Sequence, residues 1–141
     1  MSTTPIRNAR AAALPAKLSR TWLLVNASKP ALFEPGQRSE ADSVIFDLEA
    51  AVAEDQKDTA RAHVVEALSE RHPSSGEPQM TAWVRINDVK SKYWEDDLAA
   101  LNGLPGLRGL MLPNTEAPEQ VTWTAMKGGA GVPVLALIET A

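Results

Sequence analysis

The chain has 141 residues, of which 44% are hydrophobic and 23% charged, with no cysteine and a formal net charge of −4. That length suits one domain with a substantial core, and the absence of cysteine excludes disulfides, thiolate metal sites and a cysteine nucleophile, which makes a cytoplasmic setting the expectation. The acidic balance argues against nucleic-acid binding, and no apolar run approaches the roughly 20 residues of a membrane-spanning helix.

Charge is unevenly spread. Arg7, Arg10, Lys17, Arg20 and Lys29 precede the first acidic residue, Glu34. Residues 1–19 are therefore read as a disordered basic tail and not a targeting helix, because Pro5 and Pro15 interrupt helical order. Nothing in that tail resembles the apolar stretch of a secretory signal.

From Thr21 onward, short apolar runs alternate with helical patterns. Thr21–Val25 is predicted as a strand, followed by a short helix over Ala31–Glu40 that starts behind Pro30. Ser43–Leu48 is a second strand. Asp55–Arg71 is a helix with Ala60, Val64, Ala67 and Leu68 on one face, ended by turn formers at His72–Gly76. Thr81–Ile86, helix Trp94–Leu101, Leu107–Leu112, helix Pro118–Met126 and Val132–Ile138 complete the series.

Continuously apolar strands separated by helices indicate a parallel sheet covered by crossover helices. Two arrangements fit, an open doubly wound sheet or a barrel. No glycine-rich phosphate loop follows the first strand, which removes most support for a dinucleotide-binding fold.

Polar residues gather at the C-terminal ends of the strands. Asp47 and Glu49 close the second, Arg85 and Asn87 the third, Asn114 and Glu116 follow the fourth, and Glu139 follows the fifth. In a barrel, that end forms the active-site mouth. Arg85 is the strongest candidate, since a charge at the end of an apolar strand needs an anion and a guanidinium grips a carboxylate with two prongs. Glu116 suits a hard divalent cation. An internal ion pair of Arg85 with Glu49 is the structural alternative. His63 and His72 are expected to pack or face solvent, and the four tryptophans to serve the core.

The segments Arg20–Val25, Ala41–Arg61, Val84–Asn87, Leu110–Val121 and Val132–Ala141 together resemble citrate lyase β-subunit-like proteins of the HpcH/HpaI aldolase and malyl-CoA lyase superfamily. The resemblance implies an α/β fold of TIM (β/α)8-barrel type, present here as about five of eight strands. This would be the N-terminal part of the barrel, occupying residues 20–141. It also implies a homo-oligomer, a trimer in the family, that makes or breaks a carbon–carbon bond in 3-hydroxyacyl-CoA substrates with Mg²⁺. By the same resemblance Arg85 holds the substrate carboxylate, Glu49 orients Arg85 and Glu116 binds Mg²⁺. Lys29 stands where a family arginine meets the cofactor.

The sequence departs from the family pattern at Asn26–Lys29, Ala50 and Asn114. The family's second metal-binding aspartate lies on the strand after the Ile138-Glu139-Thr140 segment, beyond this sequence. The expected function is a Mg²⁺-dependent carbon–carbon lyase acting on an acyl-CoA or small carboxylate. The alternatives are a non-catalytic barrel remnant that binds a partner or acyl-CoA, and a CoA-independent pyruvate-type aldolase. The chain by itself is expected to be weakly active or inactive.

Overall fold

The computed structural model describes residues 14–139. Among these residues five strands, β1 (Trp22–Asn26), β2 (Ser43–Asp47), β3 (Ala82–Arg85), β4 (Leu107–Leu112) and β5 (Val134–Ala136), alternate with four α-helices. The helices are α1 (Phe33–Arg38), α2 (Lys57–Ser69), α3 (Trp94–Leu101) and α4 (Pro118–Gly128).

All neighbouring strands are parallel, and their spatial order is β1-β2-β3-β4-β5. A doubly wound sheet reverses strand order at a switch point, whereas a barrel adds each strand beside the last. The order therefore selects the barrel type. Among the described residues β1 and β5 do not pair with each other, so the sheet is open.

Alternation along the strands divides two apolar layers. Val44, Phe46, Val84, Ile86, Leu110 and Leu112 face the helices and meet Ala60, Val64, Leu68, Leu98 and Leu101. Phe33 stacks on Phe46 at 4.2 Å between ring centroids. On the opposite, inner face Ile45, Trp83 and Met111 form a smaller cluster with Trp22, Leu135 and Leu137. Gly109 is required there, because a Cβ on it would lie 2.4 Å from the Trp83 ring. The indole occupies the space a side chain would fill and floors the mouth below Arg85.

Several boundaries differ from the sequence reading. The helix expected over Ala31–Glu40 begins as a 3-10 turn, Pro30–Leu32, and is α-helical only over Phe33–Arg38. The fifth strand contracts to Val134–Ala136, since Pro133 has no N–H to give a ladder. Trp83 and Trp94 are buried, but Trp123 is 52% exposed and is not a core residue.

Residues 1–13 of the expected tail lie outside the described residues. Its last part is described and placed: Ala16–Leu18 form a 3-10 turn, and Ala16 packs on the inner cluster. Arg108 Nη2 donates to the Leu14 carbonyl at 3.1 Å. The Ser19 and Ser43 hydroxyls meet at 2.7 Å.

Candidate active site

β2 and β3 are adjacent and in register, with Asp47 opposite Arg85. Both side chains point to the inner face, one layer above Ile45 and Trp83. Arg85 Nε donates to Asp47 Oδ1 at 2.8 Å and Nη2 to Oδ2 at 2.9 Å. This two-pronged pair is deeply placed, with side-chain exposures of 12% for Arg85 and 0% for Asp47. It uses the Nε/Nη2 edge of the guanidinium. Nη1 makes no hydrogen bond to another described residue, so the Nη1/Nη2 edge still carries donors, in the fork geometry that matches a carboxylate.

Asp47 makes the hydrogen bonds to Arg85, and the ion pair of Arg85 with Glu49 named from the sequence is present at longer range, with Glu49 Oε1 3.7 Å from Arg85 Nε. The reason is register: Asp47 faces Arg85 across the ladder, whereas Glu49 sits in the following turn. Asp47 also satisfies that turn, accepting the N–H of Glu49 and of Ala51, each at 2.9 Å.

The electrostatics separate the two carboxylates. Burial is the largest single influence on Asp47 and pushes its pKa up, yet the Arg85 hydrogen bonds and two backbone N–H groups together hold it below the ordinary aspartate value. Glu49 is shifted upward, chiefly by burial, with Arg85 opposing and the charges of Asp47 and Glu139 reinforcing the rise. The Asp47 hydrogen bond is also the main reason that the Arg85 pKa is raised.

Asn87 is not in the mouth. It is buried, and its backbone N–H and Nδ2 both donate to Asp97 Oδ2, at 2.9 and 2.7 Å. Asp97 Oδ1 accepts from Arg61 Nε at 2.9 Å. Asn87 therefore ties the end of β3 to α2 and α3, and sequence spacing alone does not show which way the chain turns after Arg85.

A second, shallower cluster lies on the loops after β3 and β4. Glu116 Oε2 accepts from Lys90 Nζ at 3.1 Å, with side-chain exposures of 47% and 69%. Asn114 adopts φ 49°, a left-handed conformation that asparagine tolerates. Its backbone N–H donates to Glu139 Oε2 at 2.9 Å and its Nδ2 to Asp88 Oδ2 at 3.3 Å. Gln120, in the first turn of α4, reaches back to accept the N–H of Glu116 at 2.8 Å. Glu116 lines both a cleft of about 190 Å³ shared with Lys90 and Asn114 and a cleft of about 640 Å³ shared with Val121, Ala136 and Ile138.

Lys29 stands on the loop after β1 and is exposed. Asn26 rebuilds the turn there: its Oδ1 accepts the backbone N–H and the hydroxyl of Ser28, at 2.9 and 2.7 Å. Its Nδ2 donates to the Ala51 carbonyl at 2.9 Å, latching this loop to the one carrying Glu49. The histidines pack as expected: His72 is buried, and a His63 ring nitrogen lies 3.4 Å from the Ala27 carbonyl oxygen.

The donor chemistry fits a hard divalent cation in part. Glu116 is a half-exposed carboxylate whose Oε1 has no hydrogen bond to another described residue, and Mg²⁺ needs only one or two such ligands beside water and substrate oxygens. Among the described residues, no three acidic or histidine side chains converge as a cage.

These observations define an open, barrel-type α/β sheet with a guanidinium and carboxylates at the C-terminal ends of its strands. The family model described as HpcH/HpaI aldolase/citrate lyase matches residues 20–127, and the chain belongs to that family. A citrate lyase subunit beta-like protein of Deinococcus radiodurans is 32% identical over 129 residues, covering 89% of this chain and 45% of that protein. An L-malyl-CoA/beta-methylmalyl-CoA lyase of Rhodobacter capsulatus is 35% identical over 101 residues, covering 70% of the chain and 30% of the lyase.

Among solved structures, the citrate lyase beta subunit of M. tuberculosis complexed with oxaloacetate and magnesium superposes with a TM-score of 0.65 at 34% identity, over 89% of this chain and 50% of that one. Protein CitE from the same organism, in complex with magnesium, acetoacetate and coenzyme A, gives a TM-score of 0.65 at 33% identity, over 88% and 41% respectively. The chain thus spans about half, or less, of the length of these relatives. No helix among the described residues is long and apolar enough to cross a membrane.

Proposed function

We propose that this chain carries the substrate-gripping part of a Mg²⁺-dependent carbon–carbon lyase acting on a 3-hydroxyacyl-CoA or a related small oxo- or hydroxycarboxylate. The observation that carries this reading is the Arg85–Asp47 pair. Asp47 holds the guanidinium in one orientation from behind, and the remaining edge faces the mouth. The solved relatives in complex with oxaloacetate, acetoacetate, coenzyme A and magnesium support the same ligand class.

In the cleavage direction the 3-hydroxyl loses its proton and the bond between C2 and C3 breaks. The bonding pair passes to the thioester carbonyl as an enolate, which is then protonated at C2. Arg85 is assigned to the substrate carboxylate, where its fixed edge sets the orientation of the bond that breaks. A cation held beside the developing negative charge also lowers the barrier. Glu116 is the residue that would hold Mg²⁺, which when bound supplies a further positive charge for substrate oxygens. Glu49, shifted upward by burial where Asp47 is shifted downward by its hydrogen bonds, is the more readily protonated of the two carboxylates. Lys29, exposed on the loop after β1, is assigned to a phosphate of CoA. The family resemblance extends the reading to a cytoplasmic homo-oligomer.

Calorimetric titration of the purified chain with oxaloacetate, with and without Mg²⁺, tests this. Binding that is strengthened by Mg²⁺ and abolished by Arg85→Met is the expected result, and equal binding by the Met variant overturns the assignment. Thiol release from malyl-, citramalyl- or citryl-CoA then separates a lyase from a module. Binding with no Mg²⁺ effect and no thiol release favours the non-catalytic reading.

A further inference from the structure

Lys57 opens α2 at a position unusual for a lysine. It shares the inward face of the helix with Ala60, Val64 and Leu68, and it is only 6% exposed. Its Nζ donates to the Leu48 carbonyl at 2.9 Å and to the Glu49 carbonyl at 2.7 Å. No carboxylate lies within ion-pair distance of it among the described residues. A buried ammonium is costly, and an apolar side chain would serve the packing of α2 as well. What the ammonium adds is a hold on two consecutive carbonyls directly after Asp47.

Asp47 holds the same turn by its donors. It accepts the N–H of Glu49 and of Ala51 while it grips Arg85. The turn is thus pinned on both sides, its N–H groups by a carboxylate and its carbonyls by an ammonium. We propose that Lys57 is a positioning residue: by holding the carbonyls of Leu48 and Glu49 it fixes the turn that carries Asp47 and Glu49, and through Asp47 the orientation in which Arg85 presents its free edge to a carboxylate ligand. This inference rests on the assignment of Arg85 to the ligand carboxylate and extends it one residue outward.

The test compares wild type, Lys57→Met and Lys57→Arg, with oxaloacetate as the calorimetric probe and the Arg85 Nε–Hε resonance as a spectroscopic readout. Lys57→Met keeps the stem and removes the donors. It should bind the probe roughly tenfold to a hundredfold more weakly, a range taken by analogy with loss of a hydrogen-bond partner that orients a metal ligand. Its Arg85 Nε–Hε should move toward the position of a solvated guanidinium, and Lys57→Arg should recover most of the affinity. A purely structural lysine would lower the unfolding midpoint of Lys57→Met yet leave probe affinity and the Arg85 resonance unchanged in the folded protein, and that result overturns the proposal.

If Lys57→Met does not fold, Lys57→Gln replaces it. One amide donor should give intermediate affinity, and wild-type affinity counts against the proposal. Should wild type itself bind no oxaloacetate, the assignment of Arg85 fails, while the Arg85 resonance in the variants still decides the role of Lys57.

Discussion

Arg85–Asp47, on adjacent strands, and Lys90–Glu116, on the loops beside them, are cation–carboxylate pairs built differently. Arg85–Asp47 is two-pronged, nearly buried and anchored by two strands in register. Lys90–Glu116 is a single contact between half-exposed side chains on two loops. Burial raises the cost of separating the first pair, and solvent screens the second. The deep pair is suited to hold a geometry, while the shallow one leaves Glu116 able to exchange its partner.

Arg85→Met should test the deep pair most severely. It leaves the Asp47 carboxylate buried without its cation, which costs about 3–5 kcal/mol for a broken buried pair and should show as a lower denaturant midpoint, alongside loss of oxaloacetate binding. Asp97→Ala breaks the Arg61–Asp97–Asn87 connection outside the mouth. A loss of about 2–3 kcal/mol in urea unfolding is expected, because buried charged donors lose their acceptor.

The pH dependence separates Asp47 from Glu49. Asp47 has a lowered folded-state pKa, so its contribution is present above the ordinary aspartate value near ~3.9 and is lost as pH falls through the lowered one. Glu49 has a raised folded-state pKa. It therefore adds stability below the ordinary glutamate value, and that gain disappears as pH rises through the raised one. Glu49→Gln should consequently unfold at slightly higher denaturant than wild type at pH 7, and Asp47→Asn at much lower. Equal behaviour of the two variants would break the distinction.

Lys90→Ala should have the smallest effect, within about 1 kcal/mol for an exposed pair. By freeing Glu116 it should strengthen Mg²⁺ binding in calorimetry. Unchanged Mg²⁺ affinity would argue that Glu116 is not a cation ligand.

The polar strand ends of this protein are legible in the sequence. Arg85 and Glu116 are singled out by their place after apolar runs, and both lie on the mouth side of the sheet. That Asp47 meets Arg85 more closely than Glu49 does was not legible, because cross-strand register, which no single sequence states, decides which carboxylate faces the guanidinium. Asn87 follows Arg85 by two residues and should share its face, but the chain leaves the strand after Arg85 and the amide turns to Asp97. Lys57 did carry a signal, as a lysine spaced with Ala60, Val64 and Leu68 on an apolar helix face. Lys90 carried none, since its partner is 26 residues away on another loop.

What the sequence determined by itself is the alternation of strands and helices, the parallel sheet and the polar character of one end of it, because hydrophobic period and turn chemistry are local properties. The barrel order of the sheet, which hydrophobic period leaves open, was implied by the family resemblance; tertiary structure alone decided that Asp47 grips Arg85, and that Lys57 and Asp97 are buried among polar partners. Those are pairings between residues distant in the chain, selected by which surfaces meet when the helices pack on one face of the sheet.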